Sequence, residues 1–191
     1  MALKHVQEKR FTAEEFTRLF ETGALSSEER LELIDGRIVP LSLHEPQHTR
    51  SLIRATDALT PALHATHYVG VQIPVVIGKH HQPQPDLSVY RRSALDTPGD
   101  TPEKAVLLVE ISNTSLAYDR DEKASLYASS GVPEYWIVNL RTRQVEVYRD
   151  AAPDDTRAFG YWWRSVAVFN EGEIVYPLDC PDVEIAVADL F

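Results

Sequence analysis

The apolar positions Phe16, Leu19 and Phe20 recur at helical spacing. Thr12 and Glu15 ahead of them are spaced like a capping box, and Gly23 is a plausible stop, which predicts a helix over Thr12–Thr22. Asp35-Gly36 between two short apolar runs predicts a hairpin. Leu52, Ala55, Leu59 and Leu63 then share one face of a predicted helix over Pro46–Thr66, which Pro61 should kink or end. From Val69 the period changes to two. Val69, Val71, Ile73, Val75 and Ile77 line one face of a predicted strand, with Gln72 and Val76 on the other.

The next stretches continue the alternation of strand and helix. Asp86–Tyr90 reads as a short strand, and Ala105–Ser112 as a central strand covered on both sides. Asp119–Ser130 reads as a helix, with Asp119 and Glu122 as its capping pair and Gly131 and Pro133 as its stop. Glu134–Leu140 and Gln144–Arg149 form a strand pair around Arg141-Thr142-Arg143, and Ala151–Gly160 reads as an exposed loop. Short strands around Trp162-Trp163 and Glu173–Tyr176 and a closing turn at Asp189-Leu190-Phe191 complete the pattern. The sum is an α/β (α+β) fold, a mixed β-sheet flanked by helices, in a single domain over residues 1–191.

Composition changes this picture in two ways. The net charge of −10 argues against a protein that coats nucleic acid electrostatically, since that needs clustered Lys and Arg. It does not exclude an enzyme that acts on nucleic acid, because site carboxylates add to the count. No apolar run approaches the ~20 residues of a membrane span, and MALKHVQEKRF has no secretory h-region. With one cysteine, Cys180, read as inert, a cytoplasmic location and no membrane association are expected.

The chemistry concentrates in QPQPDLSVY and AVLLVEIS. By the two-residue period Asp86, Ser88 and Tyr90 share one face of their strand, and Val106, Leu108, Glu110 and Ser112 one face of theirs. A carboxylate such as Glu110 behind an apolar run is costly to bury unless paired or metal-bound. On neighbouring strands Asp86 and Glu110 would sit side by side and repel unless a cation joins them. Mg²⁺ or Mn²⁺ suits such oxygen donors, and the set suits phosphodiester hydrolysis. Ser112, two beyond Glu110, is not a lysine. Lys123 on the following helix is the candidate to orient water or stabilise charge.

ERLELIDGRIV, QPQPDLSVY, LLVEIS, DRDEKASLYASSGVPEYWIVNL and the terminal DLF, in that order, resemble the Uma family of putative restriction endonucleases, within the PD-(D/E)XK nuclease superfamily. The resemblance runs from about Phe11 to Phe191. It implies a restriction-endonuclease-like fold, a metal-dependent endonuclease acting on DNA, Pro85-Asp86 as the PD and Glu110 as the (D/E). It implies that the lysine has left the Ser112 position for the helix, at Lys123, and that Glu32 stands near the metal. A homodimer is expected by analogy with nucleases that cut two strands. The alternatives are an inactive nuclease-fold protein serving as a binding module, and a phosphoesterase acting on something smaller.

Other residues carry bland and sharp readings together. His48 is read as a core or capping histidine with a substrate-contacting alternative, and Gln72 as a strand residue that could reach a metal water or substrate. Arg91 and Arg92 either contact phosphate or cap a surface. His80-His81 reads as a solvated loop, and Tyr135-Trp136 and Trp162-Trp163 as packing aromatics.

Overall fold

The computed structural model describes residues 8–41, 45–94 and 104–191. They fall into an N-terminal unit, 8–41 with 74–84, and a larger unit containing the rest. Among the described residues no helix is long and apolar enough to cross a membrane.

In the N-terminal unit, α1 (Ala13–Glu21) begins on the expected capping box. The Glu15 N–H donates to Thr12 Oγ1 at 3.1 Å, and the Thr12 N–H to Glu15 Oε2 at 2.9 Å. Its Ala13 and Phe16 pack on Leu33 of β1 (Leu31–Ile34), which pairs antiparallel with β2 (Arg37–Pro40). The turn between them needs positive φ at Asp35 (52°) and Gly36 (70°), as the Asp-Gly pair foretells. Gly36 is required twice over, because a Cβ there would come within 3.0 Å of the Arg10 backbone. His80 and His81 do more than face solvent. The His80 ring bonds the Phe11 carbonyl at 2.8 Å, and His81 Nδ1 accepts the Asp35 N–H at 3.0 Å.

The larger unit is a six-stranded mixed sheet. Its strands are β3 (His67–Val71), β4 (Leu87–Arg91), β5 (Leu107–Ser112), β6 (Glu134–Asn139), β7 (Gln144–Pro153) and β8 (Tyr161–Asn170), lying side by side in chain order. All neighbours are antiparallel except β5 and β6. That parallel pair needs a crossover. It is supplied by α3 (Leu116–Tyr118), a π turn (Asp119–Lys123) and α4 (Ala124–Ser130).

Both faces of the sheet are covered. On one, Ala55, Leu59 and Leu63 of α2 (Pro46–Leu63) pack with Leu87, Val89, Leu107, Val109 and Ile111. The chain end joins them through β9 (Ile174–Val175), β10 (Ile185–Ala186) and the 3₁₀ turn Val187–Leu190. On the other face, α4 lies over Tyr135, Tyr148 and Trp163, and the Trp163 indole N–H donates to the Ala124 carbonyl at 2.8 Å. Tyr127 of α4 meets Tyr135 edge to face, 5.0 Å between centroids.

Four boundaries differ from the sequence reading. The strand predicted through Ile77 stops at Val71, because Gln72 turns left-handed (φ 51°) and Ile73 precedes a proline. The apolar alternation there leaves Val71, Ile73 and Val76 exposed. Helix α2 runs through Pro61 to Leu63, where only the last turn is affected. The expected loop at 151 begins at Asp154 instead, since Ala151, Ala152 and Pro153 pair with Trp163, Trp162 and Tyr161. The crossover helix begins at Leu116, so Asp119 has helical angles and does not cap.

Leu59 is fully buried between α2 and the sheet. Leu59→Ala is expected to cost about 2–5 kcal/mol in urea unfolding. Val166→Ala, at an exposed edge-strand position, should change stability by less than about 0.5 kcal/mol.

Candidate active site

Strands β4 and β5 pair with Leu87 opposite Val109 and Ser88 opposite Leu108. One step further along this register, Asp86 stands opposite Glu110. Leu87, Val89, Val109 and Ile111 all face the α2 core. Ser88, Glu110 and Ser112 therefore take the face turned toward the crossover helix, while Asp86, just ahead of β4, also reaches His48 of α2.

Asp86 is buried and held by three donors. The Ile111 N–H donates to Oδ2 at 2.9 Å, His48 Nε2 lies 3.0 Å from the same oxygen, and the Gln72 amide donates to Oδ1 at 3.1 Å. Burial alone would raise its pKa. The His48 ring, the Ile111 N–H and the Gln72 amide together outweigh burial and hold the carboxyl below its ordinary value.

Glu110 has the opposite balance. Lys123 Nζ donates to its Oε1 at 2.9 Å and the Tyr127 hydroxyl to the same atom at 2.6 Å. Burial pushes its pKa up to about 8; the charges of Asp119 and Asp86 add to the rise, and Lys123 and Tyr127 only partly oppose it. Lys123 is itself buried, with its ammonium 5.8 Å from the centre of the Tyr118 ring. Asp119, also buried, accepts the Ser112 and Ser115 hydroxyls at 2.6 Å each, and burial, reinforced by the Asp86 charge, raises its pKa.

The structure thus brings together Asp86, Glu110, Lys123, His48 and Gln72. Arg91 and Arg92 stand at the other end of β4. Arg91 pairs with Asp179, and Arg92 donates to the His64 carbonyl at 2.6 Å and covers the Tyr68 ring. Glu32 belongs to the N-terminal unit, where it is buried on β1 and accepts the Gln84 N–H at 3.4 Å. Sequence reasoning missed Tyr127 and misread Asp119. Tyr127 was findable, since it lies one helical turn after Lys123. The fold around Asp119 left no such trace.

Asp86 and Glu110 are the oxygen donors that could hold a hard cation. Among the described residues no three His, Cys, Asp or Glu side chains converge into a ready-made cage. Two carboxylates completed by water and phosphate oxygens is the usual Mg²⁺ arrangement. Burial is the main cause of the raised Glu110 pKa and the Asp119 and Asp86 charges add to it; a cation placed there would oppose both effects, so the donor set fits such an ion.

The sign of the pH effect follows from Glu110. Its folded pKa of about 8 lies above the ordinary 4.5, so between those values the folded state holds the extra proton. Its stabilising contribution is complete below pH 4.5 and is lost as pH rises through about 8. Without divalent ions, wild type should lose stability across this window in denaturant titrations. Glu110→Gln should flatten that slope, and an unchanged slope would refute the assignment.

No curated protein matches the chain. The structure is similar to that of a putative nuclease belonging to DUF820 from Anabaena variabilis, with a TM-score of 0.71 and 16% sequence identity over 95% of this chain and 97% of that one. At that identity the likeness is one of fold, and it agrees with the mixed sheet flanked by helices. The model of the Uma2 family, described as putative restriction endonucleases, matches residues 13–188, nearly the whole chain, and the chain belongs to that family.

Proposed function

We propose that the protein is a metal-dependent endonuclease that hydrolyses phosphodiester bonds of DNA, using Mg²⁺ or Mn²⁺ held by Asp86 and Glu110. One observation carries this reading most. A buried lysine ammonium lies 2.9 Å from a buried carboxylate that is the register neighbour of a second carboxylate. Buried acid and base groups drawn together at a cost in desolvation, beside a second carboxylate, support reading this cluster as a site.

When bound, the cation would polarise the phosphate and lower the pKa of a water. The chain's own residues divide the remaining work. The Ile111 N–H, His48 and Gln72 hold Asp86 ionised and oriented, so a donor oxygen is ready without rearrangement. Tyr127 and Lys123 fix Glu110 from the helix side. Lys123 supplies a positive charge beside the carboxylates, where it can orient a water or stabilise charge developing on phosphate. A duplex has two strands to cut, and a homodimer would supply two such sites.

The net charge of −10 favours a second reading, an inactive nuclease-fold protein that binds a partner. The two separate cleanly. Asp86→Ala should abolish Mn²⁺-dependent DNA cleavage while circular dichroism shows a folded protein, and Lys123→Met should cut the rate by about 10²–10³-fold. Mn²⁺ should raise the thermal midpoint of wild type but not of Asp86→Ala. Cleavage retained in Asp86→Ala would overturn the site. A wild type that neither cleaves nor responds to Mn²⁺ would overturn the nuclease reading and leave the binding module in its place.

A further inference from the structure

Asp119 is a buried carboxylate that the chemistry above leaves unused, and it lies beside the site. It opens the π turn, and it is fixed from three directions. Its Oδ2 accepts the hydroxyls of Ser112, at the end of β5, and of Ser115, just before α3. Its carbonyl oxygen accepts the Tyr135 hydroxyl of β6 at 3.1 Å. The same oxygen accepts the Ala124 N–H, the bond that closes the π turn. Its own N–H donates to the Ser115 carbonyl at 3.0 Å.

Lys123 ends this turn. An α-helix advances about 100° per residue. One residue more in a single turn therefore re-aims everything after it by about that angle. Lys123 stands at the end of the π turn and Asp119 at its start, so the phase of the turn sets the direction of the Lys123 stem. A π turn is rare beside continued α-helix and is frequent at functional sites. Here two serine hydroxyls and a tyrosine hydroxyl converge on the residue that starts it.

We infer that Asp119 is a positioning residue: pinned by Ser112 and Ser115, it fixes the π turn in the register that delivers Lys123 Nζ to Glu110. Its consequence for turnover rests on the nuclease reading. The placement of Lys123 does not, and is readable in the resting protein.

The test compares Asp119→Asn, Asp119→Ala and Ser112→Ala. Asparagine keeps an oxygen that accepts the two hydroxyls; alanine does not. The first readout is the side-chain ammonium signal of Lys123 in ¹H–¹⁵N spectra without metal. A buried ammonium held by Glu110 gives a protected resonance, and a released one exchanges away. Asp119→Asn should keep that signal, whereas Asp119→Ala and Ser112→Ala should lose it. Cleavage should follow, with kcat unchanged within a few-fold in Asp119→Asn and reduced about 10²-fold in the alanine variants at unaltered KM, the size expected for misplacement by about 1 Å. Mn²⁺ affinity should be the same in all.

If the signal persists in Asp119→Ala, or in Ser112→Ala should Asp119→Ala fail to fold, the positioning role is overturned. The role is equally overturned if Asp119→Asn loses activity and Mn²⁺ affinity as fully as Asp119→Ala, because Asp119 then acts through its charge. Absence of cleavage by wild type overturns the nuclease reading alone, and the ammonium signal still decides the placement of Lys123.

Discussion

A buried carboxylate on a central strand is the constraint around which the larger unit is organised. Glu110 sits in β5 with paired strands on both sides and a packed layer above. Desolvating a carboxylate there is expensive unless donors replace the water. Lys123 and Tyr127 are those donors, and both come from the crossover between β5 and β6. Removing one partner of such a pair leaves the other buried and uncompensated, typically at a cost of about 3–5 kcal/mol. The crossover is therefore tied to the sheet by charge as well as by the Tyr127–Tyr135 and Trp163 packing.

Topology and site share one cause. A parallel pair inside an otherwise antiparallel sheet requires a long return, and the return must cover the sheet face from which Glu110 projects. A helix laid there brings its own side chains to the carboxylates. Ser112 is on the same strand face but too short to reach Glu110 with a charge. Its hydroxyl goes to Asp119 instead, at the start of the turn that carries Lys123. Strand and helix thus divide a task that one longer strand residue could have performed.

The two carboxylates of the site are kept different. Asp86 gathers a backbone N–H, an imidazole and an amide, and is held below its ordinary pKa. Glu110 is desolvated beside the charges of Asp119 and Asp86 and is held well above it, against the opposing pull of Lys123 and Tyr127. Without a cation, the pair therefore ionises in two separate steps rather than one. The same contrast accounts for part of the acidic composition. Asp86, Glu110 and Asp119 are counted in the formal net charge of −10 but are buried within the fold.

Much of this was legible in the chain. The capping box at Thr12, the Asp-Gly turn, the apolar stripe of α2 and the central run ending in LLVEIS are local patterns, and local patterns need only neighbours in sequence. Glu110 could be placed on its strand face because a strand alternates with period two, and Asp86 lies just ahead of the strand beside it. The helix was less legible. A π turn has no sequence signature, so Asp119 passed for a cap and the helix began three residues late. His48, Gln72 and Asp86 are brought together by chain segments that meet only after folding. Nothing in the alternation after Val69 showed that Gln72 would turn left-handed and reach back to Asp86. The sequence by itself determined which residues could do chemistry and which strand face carried them. Tertiary structure decided which of them meet, because a hydrogen bond between Gln72 and Asp86, or between Lys123 and Glu110, depends on sheet register and on helix phase rather than on spacing along the chain.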